Sequence, residues 1–182
     1  MNSKGSVIWI TGLSGAGKST LARKVVSKLR SNGQAVIFLD GDELRAVFGA
    51  VSTSKKNHGR EGRIELAMQY SNLCLLLSIQ GFIVVIATIS LFDEIHKWNR
   101  ENLLNYFEVF LDVPIGELRR RNSKDIYGKF DRGELSNVAG LDLNVDTPRN
   151  PDWIVEFNSN RLPENIAEEL LNRFNQRKNH EN

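Results

Sequence analysis

Val7-Ile8-Trp9-Ile10-Thr11 runs straight into Gly12-Leu13-Ser14-Gly15-Ala16-Gly17-Lys18-Ser19-Thr20 near the start of the chain. The first five residues form a short β-branched and aromatic run broken by a glycine-rich turn, the profile of a buried strand. Beyond the turn, Leu21, Ala22, Val25, Val26 and Leu29 recur at helical spacing over residues 18–31, and Asn32-Gly33 closes that helix. The turn itself fits G-x-x-x-x-G-K-[ST] in full. Its glycines let backbone N–H groups curl around phosphate oxygens, and the following helix adds its positive end. Lys18 is then placed to reach the β- and γ-phosphates, and the Ser19 hydroxyl to ligate Mg²⁺. A strand before and a helix after separate this turn from a chance match, so residues 12–20 are read as a nucleoside triphosphate site.

Outward from that loop, strands and helices alternate. Residues 35–39, 82–88, 106–111 and 153–157 give further strands, and 82–88 is the strongest strand signal in the chain. Helical periodicity runs from about Arg63 to Gln80, with Gly81 stopping it, and returns in a mixed stretch from Asp93. Pro114 opens a short helix ending in Arg119-Arg120-Arg121, and Pro163 starts a last amphipathic helix bearing Ile166, Leu170, Leu171 and Phe174. Strands that read as continuous apolar runs between helices imply an α/β fold, a mainly parallel five-stranded sheet covered on both faces. Ligands in such folds bind at the carboxyl ends of strands, where Thr11, Asp40 and Ser90 fall. Residues 52–59 read as a surface loop. Residues 122–150 are polar with three glycines and no clear strand, the profile of a functional insert such as a lid, about 122–140.

The chain has 182 residues, which suits one domain over 1–182. With 24 basic and 22 acidic residues the net charge is +2, too small a field to favour nucleic acid or an anionic membrane. One cysteine, Cys74, excludes an internal disulfide and a cysteine zinc cage, and its apolar helical setting marks a core residue rather than a nucleophile. The longest apolar run, residues 82–87, or 82–89 across Thr88, is far short of the ~20 a membrane helix needs. These properties read as a soluble, cytoplasmic protein.

A triphosphate site serves kinases and regulatory switches alike. A GTPase switch should carry Asn-Lys-x-Asp after a strand; here Asp112-Val113-Pro114 follows Leu111 and no such motif occurs. Small size and a basic, glycine-bearing insert favour a kinase whose lid excludes water, with an NTP-binding switch protein as the reading from another class.

Asp40-Gly41-Asp42 ends the second strand beside the loop. A carboxylate there can hold Mg²⁺ through water or orient and deprotonate an acceptor hydroxyl, and Asp42 can also cap a helix. Gly12-Leu-Ser-Gly-Ala-Gly-Lys-Ser-Thr20 together with Leu39-Asp-Gly-Asp42 and Arg45 resembles the adenylylsulfate kinase family. The likeness continues through Ile89-Ser90, Lys124-Asp-Ile-Tyr127, Gly133-Glu134, Asn137-Val-Ala-Gly140-Leu-Asp142 and Pro148-Arg-Asn-Pro151, covering roughly residues 5 to 157. It implies a three-layer P-loop kinase fold, ATP and Mg²⁺, and transfer of the γ-phosphate to the ribose 3′-hydroxyl of adenylylsulfate. By the same resemblance Asp42 is the carboxylate beside that hydroxyl. Arg45 and Arg63 grip the acceptor's anionic groups, Ser90 lies in the acceptor segment, and Lys124 is the lid lysine that approaches the phosphates. The family is often dimeric, which leaves a homodimer open.

The departures fall on the acceptor side. The family's Arg-x-Glu-Asn-Ile-Arg-Arg helix stands here as Arg63-Ile64-Glu65-Leu66-Ala67-Met68-Gln69. Of two phenylalanines that clamp the acceptor's adenine, the lid one is Val138 here and the other aligns near His58, a loss of about 1–3 kcal/mol of base stacking. Ile-Ser-Pro has become Ile89-Ser90-Leu91, and a lid arginine has become Asp131. Relatives that phosphorylate cytidine diphosphoramidate in capsular polysaccharide pathways are similar around residues 89–95 and Asn99-Arg100, so the same transfer to a different nucleotide is the alternative.

Outside these motifs, His96 and His180 lack metal-ligand spacing and read as solvated. Trp9 and Trp153 read as core. The Arg119–Arg121 run reads as a complement to the helix's negative end, with Arg121 close enough to the insert to meet the nucleotide.

Overall fold

Strand β1 (Ser6–Thr11) is buried along its whole length and divides its side chains between two cores. Ile8 and Ile10 point to one face, Val7 and Trp9 to the other, as the two-residue period of a strand requires. The computed structural model describes residues 5–49 and 59–180. Within them β1 is flanked by β3 (Ile83–Ala87) and β4 (Tyr106–Asp112). Outside these lie β2 (Val36–Asp40) and β5 (Trp153–Glu156), giving the order β2-β3-β1-β4-β5. All four pairings are parallel. The α/β architecture read from the sequence is the one observed.

Helices cover both faces. On one, α1 (Lys18–Ser31) and α7 (Pro163–His180) bury Leu21, Val25, Leu29, Leu170 and Phe174 against Ile8, Val85 and Val109. On the other, α2 (Gly41–Gly49), α3 (Arg60–Ile79) and α4 (Asp93–Asn102) bury Leu44, Ala67, Tyr70, Cys74 and Ile95 against Val7, Trp9 and Ile86. Two shorter helices, α5 (Ile115–Arg121) and α6 (Ile126–Asp131), follow β4 and send Leu118 and Tyr127 into the first core. No helix among the described residues is long and apolar enough to cross a membrane.

Helix α3 begins at Arg60, three residues before the expected Arg63. Its first turn lacks apolar residues and so carries no hydrophobic period. It is held instead by Gly59 O accepting from Arg63 N and by the Arg60–Asp146 ion pair at 2.6 Å. Most of the expected loop at 52–59, with His58, lies outside the described residues, as does the side chain of His180.

His96 corrects the expectation of a solvated histidine. It is 8% exposed and its Nδ1 lies 2.6 Å from Glu108 Oε1. Glu108 sits in the interior of β4 with 2% exposure, and a carboxylate taken that far from water must be surrounded by donors. Tyr106 donates to Oε1 at 2.9 Å and Arg100 reaches Oε2 at 3.3 Å. No sequence period announces a buried carboxylate, so its partners were not recognisable either.

Candidate active site

The loop at residues 12–17 joins β1 to α1. Gly12 has φ 150°, and a Cβ there would lie 2.8 Å from Leu111 O, so no larger residue fits. Gly17, at φ 98°, turns the chain into α1, which starts with neither a side-chain cap nor an acid in its first turn. The N–H groups of that first turn are left for an external anion. The loop's carbonyls are tied back on the other side. Leu13 O accepts from Lys18 Nζ at 2.8 Å, Ser14 O from the Tyr127 hydroxyl at 2.9 Å, and Gly15 O from Arg121 Nη1 at 3.2 Å. With three successive carbonyls engaged, the loop presents donors to its concave side.

Lys18 lies beneath this loop. Burial lowers its pKa to about 8, against the opposing pull of Asp42 and Asp40. Asp40 ends β2. Its Oδ2 accepts from Ser19 Oγ at 2.6 Å and its Oδ1 from the Asp42 N–H at 3.0 Å. These hard oxygens are the donor type Mg²⁺ takes, and Mg²⁺ commonly completes its shell from phosphates and water. Among the described residues no group of three or more acidic, histidine or cysteine side chains is spaced to hold a metal alone.

Asp42 is the second residue of α2 and is exposed. Burial alone would raise its pKa, but the bond and charge of Lys124, with Arg45 and Lys18, outweigh it and hold the carboxyl below its ordinary value. Lys124 Nζ donates to Asp42 Oδ2 across the cleft. The chain around that lysine is strained: Asn122, Lys124 and Asp125 adopt φ of 41°, 61° and 54°, positions bulky residues avoid. A cavity of about 510 Å³ gathers Ser14, Gly15, Gly17, Lys18, Ser19, Thr20, Asp40, Asp42, Arg45, Arg121 and Lys124. Gly12, Leu13 and Ala16 stand behind it: Ala16 is in the core, and Leu13 packs on Gly140.

Arg45 also lines a second, smaller cavity of about 20 Å³ with Arg63, Leu66, Tyr70, Thr88, Ser90 and Phe92. Arg63 Nη2 donates to Asn137 O at 2.7 Å; burial and then the charge of Arg45 lower its pKa. Ser90, at φ 28°, shares a 2.8 Å hydrogen bond with Thr88 Oγ1. Sequence reasoning missed Thr88 and Tyr70. Thr88 follows β3 directly, so the rule of strand carboxyl ends could have found it, whereas a tyrosine inside an apolar helix reads as core.

The expected insert at 122–150 divides in two. Residues 122–136 carry α6 and touch the phosphate loop through Tyr127. Residues 137–149 form a wall pinned from behind. Asp142 accepts from the N–H groups of Asn137 and Val138 at 2.7 and 2.6 Å. Asp146 bonds Arg60 and the Asp93 N–H, and Arg149 pairs with Asp93. Val138 is 5% exposed in this wall.

A glycine-rich anion loop, a half-buried lysine and paired aspartates at the carboxyl end of a parallel 2-3-1-4-5 sheet define a P-loop kinase, an ATP-dependent phosphotransferase. It is a nucleotide kinase, and the chain belongs to the adenylylsulphate kinase family, which it matches over residues 4–156. It is 36% identical to the cytidine diphosphoramidate kinase of Campylobacter jejuni over 160 residues, 88% of this chain and 91% of that one. It is 35% identical to the adenylyl-sulfate kinase of Pseudomonas aeruginosa over 153 residues, 83% of this chain and 76% of that one. Among solved structures, the Mycobacterium tuberculosis APS kinase CysC in complex with AMPPNP and APS superposes with a TM-score of 0.85 at 31% identity. That superposition covers 95% of this chain and 99% of that one. Family membership sets aside the reading as a switch protein.

Proposed function

We propose that this chain, as one kinase domain, transfers the γ-phosphate of ATP to the ribose 3′-hydroxyl of a nucleotide bearing an anionic group, with adenylylsulfate as the acceptor. The observation that carries the reading is the convergence of Lys18, Asp42, Arg45 and Lys124 on one cavity, with Arg45 reaching on into the smaller one. The phosphate loop, residues 12–20, holds the triphosphate, and Lys18 meets the charge that develops on the β- and γ-oxygens. Asp42 orients the acceptor hydroxyl and takes its proton as the new O–P bond forms and the bond to the β-phosphate oxygen breaks. Arg45 and Arg63 hold the acceptor's anion through planar, permanently charged forks, and Ser90 shapes the floor beside them. Ser19 Oγ, with Asp40 beside it, would hold Mg²⁺, which would supply neutralisation of the phosphate charge.

Lys124 leaves Asp42 for the phosphates when ATP arrives, closing residues 122–136 as a lid. The pinned wall at 137–149 does not move with it, so the lid is narrower than 122–140. With a non-hydrolysable ATP analogue at saturation, amide exchange should slow by about tenfold or more across 122–136 and stay unchanged across 137–149. An unchanged rate in the first segment would reduce it to an ordinary surface loop.

A second reading, the same transfer to cytidine diphosphoramidate, is favoured by one feature: Leu66, which lines the smaller cavity, stands where the resemblance places an amide, and Val138 where it places a stacking aromatic. The identity of the Campylobacter jejuni relative points the same way. Measuring kcat/KM for both nucleotides on one preparation, with ATP and Mg²⁺, decides between them. A preference for adenylylsulfate above about 10³-fold, or about 4 kcal/mol, upholds the first reading and defeats the second. Phosphorylation of neither, with ATP hydrolysed, would sink both.

A further inference from the structure

We propose that Tyr70 is a positioning residue for the acceptor, holding Arg45 at the junction of the two cavities; this rests on the acceptor reading above. Tyr70 lies on α3 with 2% exposure, its ring against Phe48 of α2 at a centroid distance of 6.0 Å. Its hydroxyl donates to Gly41 O at 3.3 Å and shares the wall of the smaller cavity with Arg45, whose charge acts on the phenol. A phenol has one proton, and a guanidinium only donates. The Tyr70 proton goes to Gly41 O, which leaves the phenolic oxygen's lone pairs for Arg45 to donate to. The relay has one polarity: guanidinium to phenol to carbonyl.

Gly41 is the first residue of α2 and Asp42 the second, so one side chain from α3 ties both ends of the turn that carries the reacting carboxylate and the anion grip. Burial keeps the phenol's pKa above its ordinary value despite the charge of Arg45, so the proton the relay needs is retained. Arg63 is tethered on the far side by Asn137 O. The two guanidiniums repel one another, and each is steered by a neutral oxygen from a neighbouring element. A tyrosine serving only the core would need its single bond to Gly41; a place in the cavity wall with Arg45 gives it a second task.

The test is a double-mutant cycle on the full chain, Tyr70→Phe, Arg45→Ala and the pair, with ATP–Mg²⁺ and each of adenylylsulfate and cytidine diphosphoramidate. Phenylalanine keeps the ring and removes the hydroxyl. Tyr70→Phe should raise KM for the preferred acceptor about tenfold while kcat and KM for ATP stay within about twofold, the size expected for a bond to a charged group. In the Arg45→Ala background Tyr70→Phe should add nothing. An unchanged acceptor KM in an otherwise active Tyr70→Phe enzyme overturns the inference alone, as does an equal rise in KM for ATP or a multiplicative double variant. Phosphorylation of neither nucleotide by the wild type overturns the acceptor reading and this inference with it. Should Tyr70→Phe not fold, the Tyr70 ring resonance in ¹³C-tyrosine-labelled protein serves instead. It should shift on addition of acceptor in the wild type and not in Arg45→Ala; no shift in the wild type overturns the proposal.

Discussion

Lys18→Ala should lower kcat/KM for ATP by about 10²–10³-fold while leaving the protein folded, because it removes a donor aimed at developing charge rather than a packed side chain. Its amine sits beneath the loop on Leu13 O, not among the apolar residues of either core. The depressed pKa adds a signature in pH. A lysine that titrates at about 8 in the free enzyme loses its cation above that pH, so kcat/KM for ATP should fall on the alkaline side with an apparent pKa near about 8. Bound triphosphate restores the cation, so kcat at saturating ATP should hold to higher pH. Stability moves the opposite way. Between about 8 and the ordinary 10.5 the unfolded chain binds the extra proton, so folding gains stability as pH rises through that window. Thermal melts of wild type and Lys18→Ala across it should diverge accordingly. An alkaline limb in kcat/KM that survives Lys18→Arg at the same pH would assign the titration elsewhere.

Asp42→Asn should lower kcat by about 10²–10⁴-fold, the range for loss of a general base, with KM for ATP nearly unchanged. Asparagine keeps the shape and can still accept a hydrogen bond from Lys124, but it cannot take the acceptor's proton. Asp42 is exposed and its neighbours in α2 carry the packing through Leu44, so the fold should be indifferent to the change. The informative readout is the split. A rise in KM for ATP with kcat retained would make Asp42 an anchor for the lid lysine rather than the group beside the hydroxyl.

How far the sequence could be read depended on whether a feature was enforced locally. The phosphate loop was legible because Gly12 and Gly17 occupy backbone positions that few other residues can, next to a strand and a helix with unambiguous periods. The sheet was legible for the same reason. Arg60 was not, since its helical turn is secured by Asp146, 86 residues away, and no local pattern records such a bond. His96 was misread on the same ground: its partner Glu108 belongs to another element and lies in the sheet interior. The division of 122–150 into a strained segment and a pinned wall was also hidden, because its pins come from α3 and α4. Tyr70 was concealed differently. Its spacing is that of a core residue, which it is, and only its hydroxyl enters the site.

The wall at 137–149 has a consequence for how such enzymes diversify. Its attachment points outside the segment, Arg60, Arg63 and Asp93, bond to Asp146 and to the main chain of Asn137, whereas Val138 contributes a buried side chain that takes no part in the pinning. On the acceptor reading proposed above, the side chain at 138 is thus separable from the scaffold that carries it. On that reading a lineage would exchange one nucleotide for another by changing a few such side chains while the phosphate-handling apparatus is inherited intact. Gly140 is exempt from that freedom, because a side chain there would press on Leu13 and transmit the change to the loop.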